Sequence, residues 1–121
     1  MYLQWNADLQ LSAAASRGDE LGMPIGIYAD LALSSKNGGA DTWIDRDLFI
    51  RGAHIGAPPD AFNAQGQDWG LIPPRPTVLI ERQLAPFRDD LRASMHNAGA
   101  VRLDHAMALQ RLFWVPAGAP A

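Results

Sequence analysis

No cysteine occurs in the 121 residues, which excludes a disulfide framework and any thiolate metal site and accords with a reducing, cytoplasmic setting. Basic residues are thinly spread. Lys and Arg number 10 against 13 Asp and Glu, for a net charge of -3, so there is no electrostatic footprint for a nucleic acid partner. No apolar run approaches the ~20 residues that a membrane span needs, and the start has no basic segment leading into a long apolar one, so neither a membrane partner nor a secretory signal is expected. The three histidines, His54, His96 and His105, are scattered rather than spaced as ligands, and no metal is expected. Internal repeats and heptads are missing too. What is present, 48% hydrophobic and 19% charged residues over one domain's length, is ordinary for a globular chain and argues against disorder.

Taken in order, Tyr2 to Leu21 reads as an Ala-rich helix with apolar positions Leu3, Leu9, Ala13 and Ala14, and Gly22 stands where helices commonly end. Pro24 to Leu33 is a near-continuous apolar run with one charge, Asp30, in its second half. It fits a parallel strand buried on both faces, and Gly26 within it reads as a point of tight packing. From Ser34 to Arg75 no periodicity is sustained, and Gly, Pro, Asn and Asp are dense. Structureless connections beyond about 12–15 residues are usually functional or disordered. Trp43, Phe49, Phe62 and Trp69 lie in this one among carboxylates and amides, which favours function over disorder, with Trp43 at least expected to anchor the loop on the core.

Thr77 to Leu84 forms a short helix in this reading. Pro86 opens a second, in which Phe87, Leu91 and Met95 recur at helical spacing and Asn97 or Gly99 closes the end. Ala100-Val101-Arg102-Leu103-Asp104-His105 then reads as a second strand. On a strand, Arg102 and Asp104 share one face while Val101 and Leu103 pack behind. A guanidinium beside a carboxylate favours its ionised form, as a carboxylate nucleophile requires; a buried Arg/Asp ion pair with no catalytic role fits these residues at least as well. Met107 to Val115 reads as a helical turn and further apolar packing, and the tail from Pro116 carries no structure signal. Helix, strand, loop, helices, strand is the α/β alternation of a parallel sheet. Both strands carry an acid near their C-terminal end, the face that holds the active site in a (β/α)8 barrel. Such a barrel takes ~200 residues or more, so the expectation is a fragment: two parallel strands with helices and a long active-site loop, with residues 1–121 forming part of one catalytic barrel.

Several ordered stretches carry a family resemblance: Gly22-Met23-Pro24-Ile25-Gly26-Ile27-Tyr28-Ala29-Asp30-Leu31-Ala32, Gly39-Ala40-Asp41-Thr42-Trp43, Gly56-Ala57-Pro58-Pro59-Asp60-Ala61-Phe62-Asn63, Gly66-Gln67-Asp68-Trp69-Gly70, Val101-Arg102-Leu103-Asp104-His105 and Leu109-Gln110-Arg111-Leu112-Phe113-Trp114-Val115-Pro116. Together, and over nearly the whole chain, they resemble the 4-alpha-glucanotransferases, also called amylomaltases or disproportionating enzymes. The resemblance implies a (β/α)8 barrel and cofactor-free transfer of 1,4-alpha-glucan segments between maltooligosaccharides by a retaining mechanism. It also assigns residues. Asp104 matches the nucleophile and Arg102 the arginine that keeps it ionised. Asp60, Phe62, Gln67 and Trp69 match the flexible loop that lines the glucan groove, and Asp30 and His105 match further positions at the substrate site.

Retaining chemistry needs two carboxyl groups roughly 5–5.5 Å apart, and the resemblance puts the acid/base glutamate and a further aspartate on later strands, so the fragment alone is expected to be inactive, with Met1 internal to a longer parent. Ala29, Asn6 and Leu71-Ile72-Pro73-Pro74 depart from the family pattern at the margins of the site, and none of them touches the matched loop or nucleophile. Two other readings of the chain stand beside the enzyme: a non-catalytic glucan-binding remnant, and a self-sufficient small α/β domain in which Arg102 and Asp104 are only a buried pair.

Overall fold

The computed structural model describes residues 2–121. In chain order its elements are α1 (Tyr2–Glu20), β1 (Tyr28–Asp30), α2 (Ala40–Ile44), β2 (Ala53–Ala57), β3 (Gln67–Leu71), α3 (Pro76–Glu81), α4 (Ala85–Met95), β4 (Ala100–Arg102), a 3-10 turn (Ala106–Leu109) and β5 (Phe113–Pro116). They divide between two compact units, one of residues 1–31 and 87–104, the other of residues 32–86 and 105–121. No helix among the described residues is long and apolar enough to cross a membrane.

The first unit carries the α/β pairing expected from the sequence. Helix α1 stops where Gly22 turns the chain, at φ +70°: the Met23 amide donates to the Gly18 carbonyl and the Gly22 amide to the Asp19 carbonyl, both at 3.0 Å. This is the six-to-one and five-to-two pattern that closes a helix when a residue without Cβ takes the left-handed position. Strands β1 and β4 pair in parallel, with Tyr28 opposite Ala100, Ala29 opposite Val101 and Asp30 opposite Arg102. Both are shorter than the sequence implies. Gly26, at φ +66°, turns the backbone out of extension just before Tyr28, so the apolar run yields three strand residues rather than ten. Its role is that turn, since little crowds it; the close approach comes at Gly99, whose amide donates to the Ile27 carbonyl at 3.0 Å. Tyr28 is 64% exposed, so burial on both faces is not what is found. Strand β4 ends at Arg102, which places Asp104 two residues past it and not on the strand as expected.

The second unit corrects the reading of residues 34–75 as a loop without structure. Strands β3, β2 and β5 form an antiparallel sheet in that order, with β2 in the middle and a bulge between Ile55 and Gly56. Residues 113–116, expected as a turn with packing, form its third strand. Ile55 and Val115 are almost wholly buried, and Leu48, Phe49, Ile72 and Val78 form a small core with Leu79 against it. Backbone bonds tie the irregular segments to it: Ile50 donates to the Pro73 carbonyl at 3.0 Å and Ile72 to that of Ser35 at 2.9 Å. An ion pair joins Arg82 to Asp45. Trp43 is not the anchor expected of it. On the five-residue α2 it is 71% exposed.

Candidate active site

In the first unit, three charged side chains converge at the C-terminal end of the parallel pair. Register places Asp30 and Arg102 side by side, and residues opposed in a ladder send their side chains to the same face. The contact is two-pronged: Arg102 Nε donates to Asp30 Oδ1 at 2.6 Å and Nη2 to Asp30 Oδ2 at 2.9 Å. The same Nη2 donates to Asp104 Oδ2 at 3.3 Å. The bonds to Asp30, then the charges of Asp30 and Asp104, raise the proton affinity of the guanidinium above its usual value, so Arg102 is a permanent cation between two carboxylates. The expected partnership of Arg102 with Asp104 is therefore present, although it is the longer of the two; Asp30, whose contact the sequence had no means to show, is the guanidinium's main partner. Chemically, the group presents a half-exposed carboxylate, that of Asp104, within hydrogen-bond reach of a fixed cation.

In the second unit the structure brings together Gln67, Trp69 and His105. The Trp69 indole donates to Gln67 Oε1 at 3.1 Å, and its ring lies 4.7 Å from that of His105 with a 37° tilt, within the range of aromatic ring contacts. His105 adopts left-handed backbone, φ 49° and ψ 48°, which is unusual for a side-chain-bearing residue; it precedes the 3-10 turn and follows Asp104 in the chain. Asp60 and Phe62 sit on the connection between β2 and β3. Asp60 Oδ1 accepts from the amides of Phe62 and Asn63 at 2.8 and 2.7 Å, so the carboxylate folds its own turn. Phe62, the residue this turn displays, is fully exposed.

A further pair was missed in the sequence. Asp68 Oδ2 accepts from His54 Nδ1 at 3.0 Å and its Oδ1 from the Gly70 amide at 2.8 Å. These bonds, His54 first, hold the Asp68 carboxyl below its ordinary range. The pair joins β2 to β3 across the bulge, and its only sequence signal was the position of Asp68 inside Gly66-Gln67-Asp68-Trp69-Gly70. Among the described residues no three His, Cys, Asp or Glu side chains gather as metal ligands.

Comparison with known proteins identifies the family of the chain. A family model described as 4-alpha-glucanotransferase matches residues 1–121. The chain is 48% identical over 119 residues to a 4-alpha-glucanotransferase of Mycobacterium tuberculosis, covering 98% of this chain and 16% of that protein, and 49% identical over 120 residues to one of Haemophilus influenzae, covering 99% and 17%. The crystal structure of amylomaltase from Corynebacterium glutamicum superposes with a TM-score of 0.89 at 43% identity, over 98% of this chain and 17% of that one. The chain thus spans about a sixth of the length of the curated relatives it matches.

Proposed function

The chain belongs to the 4-alpha-glucanotransferase family, and from that premise we propose that it is part of a (β/α)8 catalytic barrel that moves 1,4-alpha-glucan segments between maltooligosaccharides by a retaining double displacement. Asp104 attacks the anomeric carbon of the donor while the glycosidic bond breaks, and the leaving oxygen takes a proton from an acid/base glutamate on a later strand of the parent. A hydroxyl of the acceptor glucan then attacks the glycosyl-enzyme, gives its proton to that glutamate and releases the Asp104 carboxylate. Arg102 donates to the Asp104 carboxylate and so orients it for attack in the first step and receives it again when the second step releases it. Asp60, Phe62, Gln67 and Trp69 serve the glucan, with hydrogen bonds to sugar hydroxyls and aromatic faces against sugar rings, and His105 and Asp30 belong to the same machinery. No cofactor enters. The cysteine-free composition supports a cytoplasmic enzyme.

The observation that carries this reading is the Asp30, Arg102 and Asp104 cluster at the C-terminal end of parallel strands in a chain of this family. Replacing Asp104 with Asn in the full-length parent keeps the shape and removes the charge. Transfer measured as glucose and longer oligosaccharides formed from maltotriose is expected to fall by about 10⁴-fold or more, as loss of a covalent nucleophile does, with an unchanged melting temperature. Activity near that of the parent would overturn the assignment and leave a glucan-binding role.

A further inference from the structure

Resting on that reading, we infer that Asp30 is a positioning residue: it clamps the Arg102 guanidinium from the neighbouring strand so that one fixed N–H group is presented to Asp104. The geometry makes the assignment. An arginine held by a single contact keeps several rotamers, whereas a two-pronged contact to a carboxylate fixes the plane of the guanidinium. Arg102 meets Asp30 in this way, through Nε at 2.6 Å and Nη2 at 2.9 Å, and meets Asp104 only through the shared Nη2, at 3.3 Å. Asp30 is the anchor and Asp104 the recipient. The backbone prepares this arrangement, because Asp30 and Arg102 are register partners and the Leu31 amide donates to the Arg102 carbonyl at 3.0 Å.

Stability does not account for the cluster. The side chains of Arg102, Asp30 and Asp104 are 51%, 58% and 55% exposed, and ion pairs with that much solvent contribute little to folding. Direct sugar binding accounts for it less well than clamping, since both Asp30 oxygens already accept from Arg102. Two carboxylates on one guanidinium also leave the cluster with a net negative charge, so Arg102 steadies Asp104 without cancelling the charge needed for attack. Clamping therefore predicts an effect on the chemical step and little effect on substrate affinity.

The test is a double-mutant cycle in the full-length parent with maltotriose as substrate: Asp30→Asn, Arg102→Lys and the pair combined, with Asp104→Asn alongside. Asn keeps the shape of Asp30 but turns an N–H group against the guanidinium, and Lys keeps a charge that cannot bridge two carboxylates. A loose shell costs roughly 10²-fold for about 1 Å of misplacement, so each single variant is expected to lose about 10- to 100-fold in kcat with KM within about twofold. The double variant is expected to be no worse than about threefold below the weaker single, because residues that act as a unit are not additive. A raised KM with kcat kept makes Asp30 a substrate contact and overturns the inference, as do losses that multiply or an unchanged kcat. Should Asp30→Asn fail to fold, Asp30→Glu, which retains the charge one methylene further out, enters the same cycle with the same outcomes. An inactive Asp104→Asn beside a normal Asp30→Asn removes this inference alone; an active Asp104→Asn removes the functional reading and this inference with it.

Discussion

Among the glycines of the first unit the tightest approach to another stretch of backbone is at Gly99, three residues before the arginine, which makes Gly99→Ala a sharp probe of how the strand pair places that arginine. A Cβ at position 99 would stand 1.8 Å from the Ile25 carbonyl oxygen and 2.9 Å from its carbon, where ordinary contact begins at 3.4 Å. The obstacle is main chain, so no side chain can swing aside, and about 1.6 Å of separation must come from the backbone. The Gly99 amide bond to the Ile27 carbonyl, 3.0 Å now, is expected to break in a retreat of that size, because N–H···O bonds cluster at about 2.7–3.2 Å. Only three residue pairs hold β1 to β4, so the strain reaches Arg102 with little to absorb it. Overpacking of this kind costs about 1–3 kcal/mol, and a displacement beyond about 1 Å at a reacting group costs roughly 10²-fold in rate. In the full-length parent, Gly99→Ala is therefore expected to lower the melting temperature and to cut maltotriose transfer about a hundredfold or more. Unchanged melting together with unchanged kcat/KM would refute the argument, for it would mean that the strands tolerate a Cβ where the geometry leaves no room.

Two further expectations concern the second unit. Trp69→Ala is expected to weaken use of maltooligosaccharides by about 1–3 kcal/mol, the scale of a lost contact that leaves polar groups unpaired; a lower melting temperature with unaltered kinetics would instead show that the indole only packs on His105. The Asp68 carboxyl is held below its ordinary value by His54 and the Gly70 amide, so it binds a proton more readily in the unfolded chain. Its stabilising contribution is complete above the unfolded value near ~3.9 and disappears as the pH falls through the lowered folded value. Melting curves of the parent and of Asp68→Asn, taken from pH 6 downward, are expected to converge on acidification, and a gap that stays constant would contradict this.

Much of the first unit was legible from residues near one another in the chain. Gly22 ends α1 because its left-handed turn, at φ +70°, depends on one residue that lacks a Cβ. The second unit was not legible in the same way. Strand β2, Ala53–Ala57, has a single large apolar residue, Ile55, too little alternation to announce a strand. It becomes one by pairing with Phe113–Pro116, some sixty positions onward. The ordered motifs pointed from the sequence alone to the family, and through that resemblance to Asp104 as a candidate nucleophile, while the alternation of helix and strand pointed to a parallel α/β sheet. Only the tertiary structure showed that Arg102 is gripped first by Asp30 and that His54 meets Asp68 across a bulge, since side chains distant along the chain become partners only when strand register and backbone turns bring them to one face.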